Sequence, residues 1–182
     1  SIFLYHYDQL MFAAMGFVGV YYLIVAAIGY GFSRGGQILI ARKMGEKNKA
    51  AIGQVMHMML IFELVLSVFM FLLMRWGSEW VFTKLASSPV IIQHSLDYIH
   101  YRSMGVFFSF LGVVFISLYA GVARSHVIAY QTFLLIVINL ILNYGFIFGH
   151  FGLPEMGIKG AALASTLAEA ITFVVFVIYL FI

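Results

Sequence analysis

The chain has no cysteine and only two prolines among its 182 residues. Disulfide scaffolds, thiolate metal sites and cysteine nucleophiles are therefore excluded. Charge is also scarce. Only 9% of residues are Asp, Glu, Lys or Arg, against about 25% in an ordinary soluble domain. Hydrophobic residues make up 64%, and the mean hydropathy is +1.04. Too little polar surface is left to cover a globule in water, so the composition is that of a membrane protein. The net charge of +3 does not point to nucleic acid, because the basic residues cluster where membrane topology would place them.

Catalytic and nucleotide-binding signatures are missing as well. There is no GxxxxGK[ST], no HExxH, no GxSxG and no TVGYG-type filter. The six histidines are scattered, and His94 with His100 is poor metal-ligand spacing. No secretory leader is visible ahead of SIFLYHYDQL, and the sequence stops within the apolar run VVFVIYLFI. Both ends look cut from something longer.

What is present is long apolar runs. A bilayer core demands about 20 apolar residues of a helix. Five runs qualify: Leu10–Ser33, Ala51–Met74, Ser103–Ala123, Val127–Gly149 and Gly160–Ile182. Helices satisfy backbone groups within the segment, and the runs lack the alternation of barrel strands. The expected fold class is thus an all-α membrane bundle of five transmembrane helices. No linker or low-complexity tract divides it, so it reads as one membrane unit in the lipid bilayer.

The stretch ARKMGEKNK (41–49) holds Arg42, Lys43, Lys47 and Lys49. The short turn at Arg124–His126 falls on the same side if all five runs span. Arg75, Lys84, Arg102 and Lys159 are spread thinly over the other side. The positive-inside rule then places 41–49 in the cytoplasm of a multi-pass cell (plasma or inner) membrane protein. An outside start without a leader points to one more helix ahead of Ser1. Trp76 and Trp80 are placed to anchor at the outer interface, and Val81–His94 is predicted as a short helix lying on that surface.

Polar groups inside the runs are costly and so are candidate functional residues. Ser165, Glu169 and Thr172 follow i, i+4, i+7 spacing and share one helix face. Asn139 and Asn143 share another, with Gln131 along roughly the same stripe. Two such faces turned inward would line a polar cleft that binds a proton or a monovalent cation. The alternative for the amides is hydrogen bonding across helix contacts with no further role. Glu63 has Ser67 one turn on as a possible partner and no evident cation. Gln54 and His57 read as a helix contact, and Ser109 and Ser117 as packing residues. Gly31–Gly35 (GxxxG), Gly160–Ala164–Ala168 and Ala161–Ser165 read as close helix contacts.

The run GVARSHVIAYQTFLLIVINLILNYGFIFGHFGLPEMGIKGAALAST resembles the fourth-to-sixth helix region of the multidrug and toxic compound extrusion (MATE) transporters. The matching features are Asn139 to Asn143, Ile147–Gly149, and then Gly152, Pro154, Gly157, Gly160, Ala161 and Ala162. GGQILIARKMGEKN resembles the family's second helix end with its basic loop, and FLYHYDQLMFAAMGF the segment after its first helix. The resemblance implies helices two to six of an N-terminal six-helix lobe, with a second lobe of the same protein as partner. It implies secondary active export of cationic or amphipathic organic compounds against inward H⁺ or Na⁺ and no enzymatic activity. The family's cation site carries over to Asn139, Asn143 and approximately Ser165, with Glu169, Glu63 and Gln131 as further candidates. No metal is expected beyond Na⁺ at Asn139 and Asn143, and no other cofactor. Asn143 stands where Asp is found in members with the best-supported site, so this helix coordinates rather than titrates. The competing readings are a lipid-linked oligosaccharide flippase, whose cavity should be rich in Arg and Lys, and an intramembrane enzyme or non-transporting subunit.

Overall fold

The computed structural model describes residues 2–181 and is wholly helical. Ser1 and Ile182, the expected end of the last span, lie outside the described residues. The helices are α1 (Ile2–Tyr7), α2 (Gln9–Gly45), α3 (Lys49–Leu72), α4 (Ser78–Leu85), α5 (Pro89–Arg102), α6 (Gly105–Gly121), α7 (Ser125–Phe148) and α8 (Gly157–Phe181). Among the described residues, four stretches are long and apolar enough to cross a membrane, and the bent pair α5–α6 makes a fifth if it is one span.

Asp8 separates α1 from α2. Its backbone is extended and its carboxylate accepts from the Met11 amide at 3.0 Å, which satisfies one of the free donors of the α2 N-terminus. From there α2 runs for 37 residues, or ~55 Å at 1.5 Å per residue, well beyond the expected Leu10–Ser33. Nothing in 34–45 stops it, because basic side chains are good helix formers and suit a helix C-terminus. Most of the expected basic loop at 41–49 is therefore helix, and the turn is confined to 46–48. Arg42 and Lys43 donate to Glu46 at 3.0 and 2.7 Å, Lys47 takes a left-handed φ of 55°, and Asn48 caps α3 by accepting from the Ala51 amide at 3.0 Å.

Beyond α3 the chain does not turn at Met74 but passes through a π-helical turn, Leu73–Gly77, into α4. The Ser78 hydroxyl donates to the Met74 carbonyl at 2.5 Å in that turn. The helix expected on the surface at Val81–His94 is two helices instead. Pro89 cannot donate a backbone hydrogen bond, so a helix starts at it and not through it. The second piece, α5, buries Tyr98, Ile99 and Arg102. A 53° bend separates α5 from α6. Trp76 and Trp80 are exposed.

Helix α6 packs against α2, α3 and α8 and is central to the described helices. Its inward residues, Val106, Phe110, Val113 and Val114, are buried. The most extensive helix contact is between α7 and α8. It depends on small residues: a Cβ on Gly160 would clash with the Phe146 carbonyl oxygen, and Ala161, Ala164 and Ala168 are buried. On α2 the close contacts fall elsewhere than expected. Gly31 and Gly35 have open space where a Cβ would be, whereas Gly29 and Gly36 lie against Phe110 and Met59. The buried stripe Val25–Gly29–Ser33–Gly36–Ile40 follows helical periodicity, and Gly31 is two residues, ~200°, off it. Gln54 and His57 are exposed rather than in a helix contact.

At the far end, α7 stops at Gly149, which takes the left-handed φ of 74° that favours glycine at such caps. The Met156 amide donates to the Phe146 carbonyl at 2.9 Å and the Tyr7 hydroxyl to Glu155 at 2.9 Å, pinning the 149–156 connection to α1 and α7.

A polar cleft between α5, α7 and α8

The α7–α8 contact brings the two expected polar faces together. The Asn143 side-chain amide donates to the Asn139 backbone oxygen at 2.7 Å and to Asn139 Oδ1 at 2.8 Å. The Asn139 amide in turn donates to Ser165 Oγ at 3.2 Å, and Ser165 donates to the Ala161 carbonyl at 3.1 Å. Asn143 is buried, and its Oδ1 has no hydrogen-bond partner. That oxygen is a free acceptor among groups that are otherwise satisfied. Asn139 Oδ1, by contrast, accepts from the Asn143 amide, and Ser165 Oγ accepts from Asn139. Thr172 also lies on this side of α8, but its hydroxyl donates to its own helix, to the carbonyls of Ala168 (2.8 Å) and Glu169 (3.1 Å).

Glu169, one turn beyond Ser165, is an ion-pair partner and not an isolated carboxyl among amides. Arg102 Nη2 donates to Glu169 Oε1 at 2.5 Å and Nη1 to Oε2 at 2.8 Å. This two-point geometry combines charge with planar fit. Ser109 Oγ donates to Oε2 at 2.8 Å, and Ser109 and the Tyr22 hydroxyl are hydrogen-bonded at 2.9 Å. The guanidinium stacks over the Tyr22 ring, 3.8 Å from its centroid. The pair therefore ties α5 and α8 to α2 and α6.

Two sequence assignments are thus corrected. Arg102 is not an outer-loop charge, because the last turn of α5 dips into the bundle and buries it. Ser109 is a ligand of the Glu169 carboxylate and not a packing residue. The usable signal was the carboxyl itself: a buried carboxylate calls for a cation, and Arg102 immediately precedes the third apolar run.

Glu169 borders two cavities. One, of about 310 Å³, is lined by Arg102, Leu135, Ile136, Asn139, Leu140, Ser165 and Glu169. The other, of about 70 Å³, includes Tyr30, Phe108, Ser109, Gln131, Glu169 and Thr172. Gln131 thus belongs to the Glu169 side of the cleft. Glu63 is not brought to either cavity. It lies between α2, α3 and α6, where Ser33 donates to it at 2.7 Å. Ser67, its expected partner, donates to the Leu64 carbonyl instead.

Apolar helices of spanning length around a polar cleft define a polytopic helical membrane protein. Similarity to known proteins narrows this. The profile of the MatE family matches residues 1–145, and the chain belongs to the MATE family of transporters. It is 27% identical over 172 residues to the "Probable multidrug resistance protein NorM" of Agrobacterium fabrum, which covers 92% of this chain and 36% of the relative. It is 29% identical over 173 residues to the "Probable multidrug resistance protein YoeA" of Bacillus subtilis, again covering 92% and 36%. Among solved structures, a MOP superfamily transporter from Pyrococcus furiosus superimposes with a TM-score of 0.90 at 22% identity, over 100% of this chain and 39% of that one. The chain thus spans a little over one third of the length of the relatives it matches.

Proposed function

We propose that this chain forms helices two to six of the N-terminal lobe of a cation-coupled exporter of amphipathic organic compounds, with 41–49 on the cytoplasmic side. Alternating access would be rocking of this lobe against a second one. The observation that carries the reading is the Arg102–Glu169 pair beside Asn139 and Ser165, a charged and hydrogen-bonded cleft within apolar helices. Polar groups of this kind inside membrane helices mark substrate and ion paths.

The ion pair gives the cleft a mechanism. With Arg102 and Glu169 joined, it is close to neutral, and its apolar walls are Leu135, Ile136 and Leu140. A proton or Na⁺ taken up at Glu169 competes with the guanidinium for the same two oxygens. Loading the ion therefore loosens α5 from α8 and changes the charge a substrate meets. Asn139 and Ser165 supply neutral oxygens in the cavity of that carboxylate, and Asn143 supports Asn139 from one turn further along α7. Glu63 and Gln131 complete the set of candidate polar residues, Gln131 in the adjoining cavity and Glu63 apart from it.

The flippase reading finds less support. Its cavity should carry unpaired basic groups for a pyrophosphate, and Arg102 is neutralised by Glu169 while Arg34 is exposed. The test is ion-driven drug export from vesicles holding the full-length protein with Glu169→Gln or Asn139→Ala. Both are expected to weaken coupled export. Unchanged coupling in both would overturn the site assignment.

A further inference from the structure

Glu63 lies outside the cleft, and the ion exchange at Glu169 makes no use of it. Its side chain is fully buried in the contact of α2, α3 and α6. Oε1 accepts from Ser33 at 2.7 Å, and Oε2 has no hydrogen-bond partner. The groups facing it are uncharged. From α2 come Gly29 and Ser33. A Cβ on Gly29 would lie 3.1 Å from Oε2 and 2.9 Å from the Phe110 ring of α6. On α3 itself, Ser67 is engaged with the Leu64 carbonyl. Arg34 follows Ser33 but is exposed and turned to Gln37. No ion pair involves Glu63 among the described residues.

We infer that Glu63 holds a proton in this conformation, and that the α2–α3–α6 contact is a proton-binding site separate from the cleft. An isolated carboxylate without water or a countercharge is too costly to bury, and such a group takes up a proton instead. A protonated carboxyl needs less from its surroundings. Its O–H can share the single short contact with Ser33, which serves in either direction, and the oxygen left over is a carbonyl, the cheaper group to leave unpaired. A metal cation does not suit the site. It would need several oxygens arranged around it, whereas Oε2 lies against Gly29, which carries no side-chain oxygen, and has no hydrogen-bond partner. The proton can leave only if these three helices separate enough to admit water or a base. Its occupancy is thus tied to their packing. This inference rests on the membrane-bundle fold and not on the export reading.

The test is infrared spectroscopy of the full-length protein in lipid, which resolves the carbonyl stretch of a protonated carboxyl from carboxylate bands. The wild-type minus Glu63→Gln difference spectrum at neutral pH is expected to contain a protonated-carboxyl band. The Ser33→Ala variant, which removes the hydrogen-bond partner of Glu63 among the described residues, is expected to move that band to higher frequency. A difference spectrum showing only carboxylate bands would overturn the proposal, and so would a Ser33→Ala spectrum unchanged in the protonated-carboxyl region. The second variant keeps the test decisive if Glu63→Gln does not fold. No transport is needed for the readout, so a failure of drug export leaves this result independent.

Discussion

Replacing Arg102 with Met should be among the most damaging single changes in the cleft. The Glu169 carboxylate accepts two hydrogen bonds from the guanidinium, at 2.5 and 2.8 Å, and one from Ser109 at 2.8 Å. Arg102→Met leaves only the last. Removing one member of a buried ion pair costs ~3–5 kcal/mol, because the remaining charge is stranded. The Arg102 side chain is 9% exposed and that of Glu169 19%, so some water reaches the carboxylate and the lower end applies. The lost stacking on Tyr22 adds ~0.5–1 kcal/mol. An expected total of ~3–4 kcal/mol corresponds to more than ~100-fold in the folding equilibrium. The double variant Arg102→Met with Glu169→Leu should recover much of this, since an apolar pair of similar volume replaces a buried ion pair at little cost. The measurement is a double-mutant cycle on unfolding of the full-length protein in detergent. A coupling of ~2 kcal/mol or more is expected. Single effects that add to within ~0.5 kcal/mol, the behaviour of independent sites, would show that the two side chains do not meet and would refute the account of the cleft. Arg102→Lys should fall between, because an ammonium keeps the charge and loses the two-point fit.

Other changes test the remaining features. Asn143→Asp places a carboxylate next to the Asn139 amide in a buried position and should make ion-driven export more strongly pH-dependent, read as the rate against external pH in vesicles. Gly160→Ala drives a methyl group onto the Phe146 backbone and should cost ~1–3 kcal/mol by overpacking, whereas Gly31→Ala, with open space around it, should change stability by no more than ~0.5 kcal/mol; thermal unfolding of the two variants compares them directly. At the 46–48 turn, hydrogen bonds from Lys43 and Arg42 hold the Glu46 carboxyl below its ordinary value. Its folded pKa is depressed, so its contribution is present above the unfolded pKa and disappears as pH falls through the folded one. Glu46→Gln should therefore flatten the acid side of the stability–pH profile slightly, and high salt should erase the difference.

How far the sequence could be read depended on how local the cause was. The apolar runs of α2, α3, α7 and α8 were legible because bilayer thickness fixes their length. The Asn139–Ser165 contact was legible in outline, since helical spacing aligns each polar face and a buried amide seeks a partner. The helix ends were less so. The basic stretch after Ile40 read as a loop because charge is commonly exposed, yet exposure does not break a helix, and α2 runs through to Gly45. The split at Ala86–Ser88 carried its own marker in Pro89, which the expectation of one helix over 81–94 passed over.

By itself, then, the sequence determined the membrane environment, the helical class, the family resemblance and which polar residues had to be accounted for. Each follows from short-range rules of composition, periodicity and spacing. Only the tertiary structure decided which side chains meet. It turned Arg102 from a surface charge into the partner of Glu169, made Ser109 a ligand, moved the close contacts of α2 from Gly31 and Gly35 to Gly29 and Gly36, and separated Glu63 from the cleft. Those outcomes depend on the rotation of each helix about its axis and on the bend between α5 and α6. Both are set by packing between segments far apart in the chain, which no local pattern records.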